Sequence, residues 1–189
     1  MSEFEQKPEE IKKEPEITFE HDCPIEEVAA LTWEVHAEKH GLSKDSAPQG
    51  STERIKSFLA RPNATELVLR RDGELIGCNF SFEENEEELK KEVPYANFFT
   101  RPGERVFLLK GLNIKLKYRG QGFGQMLMDQ TMAETKQKGA TKLILSIPEK
   151  DPMPAKKMYE KLGFKEVAPN QDARSFYMVY EYEQGEDKN

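Results

Sequence analysis

Apolar residues along this chain recur at two alternating spacings, every second position and every third or fourth. That is the signature of strands interleaved with helices, and it predicts a sheet with helices packed on it. The first strand is predicted at 17–20. Pro24 suits the first turn of a helix reaching about Lys39, with Ile25, Val28, Ala29, Thr32 and Val35 on one stripe and Gly41 closing it. A shorter helix is expected at 52–60, stopped by Pro62. Next comes a hairpin, 67–70 and 75–82, around Asp72-Gly73, a pair that accepts the positive φ angles of a tight turn. In its second strand Ile76, Cys78, Phe80 and Phe82 share one face and Gly77, Asn79 and Ser81 the other, so a half-buried strand is expected.

The connection 83–104 is long and charge-dense, with room for a short helix, and loops of this length tend to be functional or mobile. Strand character returns at 105–117, where Val106, Leu108, Leu112, Ile114 and Leu116 alternate around an interruption at Lys110-Gly111; a glycine inside a strand marks a bulge or a close backbone approach. After a glycine-rich turn, a helix is predicted at 125–138, closed by Gly139. The continuous apolar run 143–147 is typical of a central parallel strand. Pro154 opens a helix to Lys161, and 164–167 and 176–182 form a final strand pair. No repeat or linker interrupts the pattern, so the expectation is one domain at 16–183 between disordered tails at 1–15 and 184–189, the first rich in Glu, Lys and Pro.

At 189 residues the chain is long enough to bury a core without disulfides, and Cys23 and Cys78 read as buried or idle thiols in a reducing compartment. No apolar run approaches the roughly 20 residues of a membrane span. These features predict a soluble cytoplasmic protein, a monomer or homodimer. A net charge of -7 disfavours a nucleic-acid partner.

The chemistry concentrates at Arg119-Gly120-Gln121-Gly122-Phe123-Gly124, between a strand and a helix. The first amides of a helix lack intrahelical partners and its dipole is positive there, so such a turn gathers donors around an anion. Glycines let a diphosphate approach the main chain, and Arg119 adds bidentate charge. Structural glycines at a tight turn account for the bare pattern equally well. The P-loop spelling GxxxxGK[ST] is absent, and a dinucleotide fingerprint would place the third glycine one residue later.

The stretch from Leu112 to Gly124 resembles the coenzyme-binding strand and [QR]xxGx[GA] turn of the GNAT superfamily of N-acetyltransferases. Ala155-Lys156-Lys157-Met158-Tyr159-Glu160-Lys161-Leu162-Gly163-Phe164 resembles that superfamily's AxxxYxKxGF segment. The resemblance covers most of the chain. It implies a mixed, twisted α/β sheet of six to seven strands with helices on both faces, whose fourth and fifth strands run parallel and then splay apart to admit the pantetheine of acetyl-CoA. It further implies that the main chain of Leu112, Asn113 and Ile114 pairs with pantetheine amides, that an amide at or near Ile114 binds the acetyl carbonyl, and that Arg119, Gly120, Gln121, Gly122, Phe123 and Gly124 hold the pyrophosphate with Gln125 beside them.

Tyr159 matches the family's proton-donor tyrosine. It also falls with Ala155, Met158 and Leu162 on the helical spacing of a buried face. Many relatives carry Asn where this chain has Pro152, a lost contact that Asp151 is placed to replace. No acidic residue lies at 106–117, which leaves the base unassigned; Glu83, Glu84 and Glu104 are candidates acting through water from the mouth of the cleft. His36 and His40 stand at i, i+4, but the spelling HAEKH lacks the Glu of a zinc motif, and no metal is expected. Trp33 and Met126, Met128 and Met132 read as core fillers. The resulting expectation is an acetyl-CoA-dependent N-acetyltransferase acting by direct attack of an amine in a ternary complex, the acceptor being a small-molecule amine or a protein amino group. Its rival is a catalytically silent acyl-CoA-binding sensor. The Glu-rich 83–92 segment hints at a cationic acceptor.

Overall fold

In the computed structural model, each change of apolar spacing marks a change of element. Strand β1 (Ile17–Glu20) leads to helix α1 (Ile25–His40) and α2 (Gly50–Leu59), then to the hairpin β2 (Thr65–Arg71) and β3 (Glu74–Glu84). There follow α3 (Glu86–Glu92), β4 (Val106–Ile114), α4 (Phe123–Gln137), β5 (Lys142–Pro148), α5 (Met153–Lys161), β6 (Lys165–Pro169) and β7 (Ser175–Glu181). The structure describes residues 14–43, 50–93, 96, 100–148, 153–169 and 175–183. Asp151, Pro152 and nearly all of the expected tails lie outside the described residues. No helix among the described residues is long and apolar enough to cross a membrane.

The strands form one seven-stranded sheet in the order β1-β2-β3-β4-β5-β7-β6, antiparallel except for the central β4–β5 pair. Helices cover both faces. On one, α1 and α2 bury Val28, Leu31, Val35 and Ile55 against Val68, Leu75, Cys78 and Phe80. On the other, Phe123 and Leu127 of α4 pack on Leu67, Leu69, Ile76 and Ile114. Burial of α1 is wider than the predicted stripe, because Leu31, Trp33 and Ala37 are covered as well.

Strand β3 departs from the half-buried expectation. Helices on both sides bury Asn79 and Ser81 along with Cys78, Phe80 and Phe82; Asn79 donates from Nδ2 to Thr131 Oγ1 of α4 at 2.8 Å, while its Oδ1 is buried without a partner. The register with β2 shifts between Leu69 and Arg70, where Ile76 is the unpaired extra residue. That bulge turns Ile76 to the α4 side, away from the face of Cys78 and Phe80.

The register of β3 with β4 also slips, between Cys78 and Phe80, opposite Gly111 at φ 63°. The glycine thus marks a bulge, as its place in the strand pattern predicts. Strand β4 ends at Ile114, three residues before the expected boundary: a single 3-10 turn covers Leu116–Tyr118, and Leu116 is 56% exposed rather than on a strand face. Helix α4 correspondingly begins at Phe123.

Candidate active site

Strands β4 and β5 pair over only three residues, Val106 with Lys142, Phe107 with Leu143 and Leu108 with Ile144. Beyond Leu108 the bulged half of β4 continues along β3 while β5 continues along β7. A wedge-shaped gap therefore opens in mid-sheet. Leu112, Asn113 and Ile114 border it from β4. The amide of Lys115 is spent on the Ile76 carbonyl at 2.9 Å, so the main-chain groups of Ile114, one residue earlier, face the opposite way, toward the gap. Its carbonyl accepts from Arg119 Nε at 3.0 Å, which uses one of the five guanidinium donors and ties the turn to the strand end.

The turn is held by a residue outside every motif. Glu74, at the start of β3, accepts from the Tyr118 hydroxyl at 2.6 Å and pairs with Lys117 at 2.9 Å and Lys115 at 3.0 Å. The Tyr118 hydrogen bond first, then the two ammonium groups, hold the Glu74 carboxyl at about 2. Tyr118 is thereby drawn to the hairpin, and Arg71 lies over both the Tyr118 and Phe123 rings at 5.7 and 5.8 Å. Gln121 bridges the same region, donating to the Lys117 carbonyl at 3.0 Å and accepting from Arg71 at 3.3 Å.

Gly120 (φ 74°) and Gly122 (φ 87°) adopt the left-handed conformation, and no described atom lies within 4 Å of where a Cβ on either would stand. Packing within the chain therefore does not explain the missing side chains. Gly122 is the N-cap of α4, and the first helical hydrogen bond runs from Met126 N–H to its carbonyl at 3.0 Å. The amides of Phe123, Gly124 and Gln125 precede that bond, and the first turn carries no acidic residue to occupy them.

The two sequence motifs meet here. A methyl group on Gly124 would stand 3.4 Å from the Met158 sulfur of α5 and 3.9 Å from Cγ1 of Ile114. Next to Met158, Tyr159 is buried in the cluster of Leu109, Leu145 and Ile147, its ring edge-on to Phe164 at 5.6 Å, with Ala155, Met158 and Leu162 packed around the same core. Burial raises the Tyr159 phenol well above its ordinary range.

The acidic candidates sit elsewhere. Glu83 and Glu84 pair with Phe107 and Val106 at the closed end of β4, away from the gap, and not at its mouth. Glu83 is bound by Arg105 at 2.7 Å, Glu84 lies 3.2 Å from Arg61, and Glu104 lies 3.0 Å from Lys142. The His36 and His40 rings are tilted against each other with centroids 4.4 Å apart. Among the described residues no group of three or more His, Cys, Asp or Glu is placed to hold a metal. Trp33, read from the sequence as a core filler, is 9% exposed and also lines a cleft between α1 and α2 that reaches Gly111 and Asn113 on β4 and Ser146 on β5.

A sheet splayed at β4–β5, with a glycine turn feeding α4 beside it, defines an acyltransferase of the GNAT type, and residues 25–164 match the family model described as acetyltransferase (GNAT) family. The chain belongs to that family. Solved structures share its fold at low sequence identity. FeeM, an N-acyl amino acid synthase from uncultured soil microbes, is 17% identical over 88% of this chain and 91% of that one, with a TM-score of 0.65. YncA from Salmonella typhimurium, solved with its cofactor acetyl-CoA, is 15% identical over 92% and 98%, with a TM-score of 0.63. The ribosomal-protein-S18-alanine N-acetyltransferase of Escherichia coli is 16% identical over 92% and 97%, with a TM-score of 0.60. No protein of curated function matches the sequence.

Proposed function

We propose that the chain transfers the acetyl group of acetyl-CoA to a primary amine by direct attack within a ternary complex. The observation that carries this reading is the open glycine turn at the head of α4, its first amides unspent on the helix, in contact through Gly124 with the segment that bears Tyr159. In this reading residues 119–125 hold the pyrophosphate, the main chain of 112–114 pairs with pantetheine, and Tyr159 returns a proton to the departing thiolate. Neither cysteine is suited to a covalent intermediate, because burial raises the Cys23 thiol and pushes Cys78 up to about 12. The acetyl-CoA bound to the Salmonella neighbour and the Escherichia coli neighbour's name as an alanine N-acetyltransferase agree with this reading. The second reading, a silent acyl-CoA-binding module, draws on the apolar setting of Tyr159.

Thermal unfolding tests the site. At about 100 times its dissociation constant, acetyl-CoA should stabilise the fold by about 2.7 kcal/mol. Gly122→Glu should abolish the shift by placing bulk and negative charge in the turn. An equal shift in that variant would place the coenzyme elsewhere.

A further inference from the structure

The cleft between α1 and α2 has a volume of about 640 Å³ and ends on the two strands that splay, at Gly111 and Asn113 of β4 and Ser146 of β5. It approaches the gap from the face opposite α4. In a ternary-complex transferase the acceptor must enter by a route the coenzyme does not fill, and this cleft provides one.

Its charge is one-sided. The chain carries 35 acidic residues against 28 Lys and Arg, yet the described residues lining the cleft include no carboxylate, while Lys39, His40, Arg54 and Lys110 all do so. Lys110 lies 2.8 Å from Glu92, but Glu92 is outside the lining and is shared with Arg61 at 3.1 Å. His36 registers the same field: burial first, then the charges of His40, Lys39 and Arg54, hold it below its ordinary value. Trp33, Phe58 and Phe80 supply apolar wall. The acidic stretch that hints at a cationic acceptor is spent on its own partners, Glu83 on Arg105, Glu84 on Arg61, Glu86 on Lys90 and Glu88 on Lys91.

We infer that the acceptor is a small primary amine whose body carries an anionic group, a carboxylate or a phosphate, seated in the α1–α2 cleft near Arg54 with its amine directed to the gap at Asn113 and Ser146. A positive, partly apolar cleft concentrates such a molecule and repels polyamines and other purely cationic amines. The inference rests on the transferase reading for the amine but not for the anion. Direct attack balances simply: the amine nitrogen bonds to the acetyl carbon, the carbon–sulfur bond breaks, and the thiolate takes up a proton as the nitrogen loses one.

Matched pairs separate the two claims. Phenylalanine is compared with phenylalaninamide, and O-phosphoethanolamine with ethanolamine, by acetyl-CoA-dependent thiol release and, independently of turnover, by thermal shift in the presence of CoA. In at least one pair the acidic member should show roughly tenfold higher kcat/KM, the discrimination expected of a charge-assisted hydrogen bond, and Arg54→Glu should erase or invert it. The carboxylate and phosphate arms tell which anion is preferred. Equal or better turnover of the neutral members would overturn the inference and leave acetyl transfer standing. Binding of the acidic members without thiol release would sustain the anion half of the inference, overturn its acceptor half and count against the transferase reading. Failure of every acidic member to bind would overturn the inference.

Discussion

A phenol that serves as a proton donor must keep its proton until the thiolate forms, and Tyr159 is set to do so, because burial raises its ionisation well out of the neutral range. The same burial makes it a core residue, edge-on to Phe164. Tyr159→Phe keeps the ring and removes the proton. If the role is catalytic, turnover should fall about a hundredfold while acetyl-CoA affinity stays within about twofold. Parallel loss of both in steady-state and binding measurements would assign the ring to packing. Helical spacing places this residue on a buried face, but spacing alone does not distinguish a donor from a filler. A second residue was not legible at all. Glu66 of β2 is 5% exposed, and one of its carboxylate oxygens is buried without a hydrogen-bond partner. Burial pushes its carboxyl up to about 7. Since the folded value lies above the ordinary 4.5, the stability associated with the protonated form is present below pH 4.5 and is lost as pH rises through 7. Glu66→Gln should therefore raise stability at pH 8 by on the order of 2 kcal/mol and change it little near pH 4. Urea titrations at the two pH values check this, and a less stable variant at pH 8 would contradict it.

At the scale of elements, the turn after β4 depends on a side chain from a different hairpin. Glu74 gathers Lys115, Lys117 and Tyr118, and so fixes where the strand stops and the 3-10 turn begins. Glu74→Ala should weaken acetyl-CoA binding about fivefold, although the residue is absent from the proposed contacts, because exposed ion pairs contribute modestly and act here through geometry. Its lowered carboxyl gives a pH signature. The contribution is present above the ordinary value of 4.5 and is lost as pH falls toward about 2. Calorimetric titration of the variant with acetyl-CoA is the check, and unchanged affinity would show that the turn holds itself. The strand pattern located β4 and its bulge, since Gly111 interrupts the alternation where the register slips. It overran the end of the strand because Leu116 continues the alternation by residue type alone, whereas the ion cluster that stops the strand joins positions about 40 residues apart. Asn79 and Ser81 misled for a similar reason: polar residues read as solvent-facing, and only the partner on α4 shows Asn79 to be a buried amide that donates to Thr131.

For the molecule as a whole, the order of elements and the two linked motifs made the fold readable from sequence, because both are local in the chain. The basic lining of the α1–α2 cleft was not, since Arg54, Lys110 and Ser146 come from three separate elements and no spacing rule unites them. Overall charge does not describe this cleft either: folding pairs Glu83, Glu84, Glu86 and Glu88 with neighbouring bases, and the described residues lining the cleft carry basic groups and no carboxylate. The three-residue overlap of β4 and β5 has a further consequence. Unpaired strand margins on a protein's outside invite self-association, because any extended chain can add to them. Here such a margin is enclosed in mid-sheet, with β5 and β7 beyond the opening, so it is not an outer edge that another sheet can extend. Main-chain pairing is thus available for recognition without the aggregation hazard that usually accompanies it.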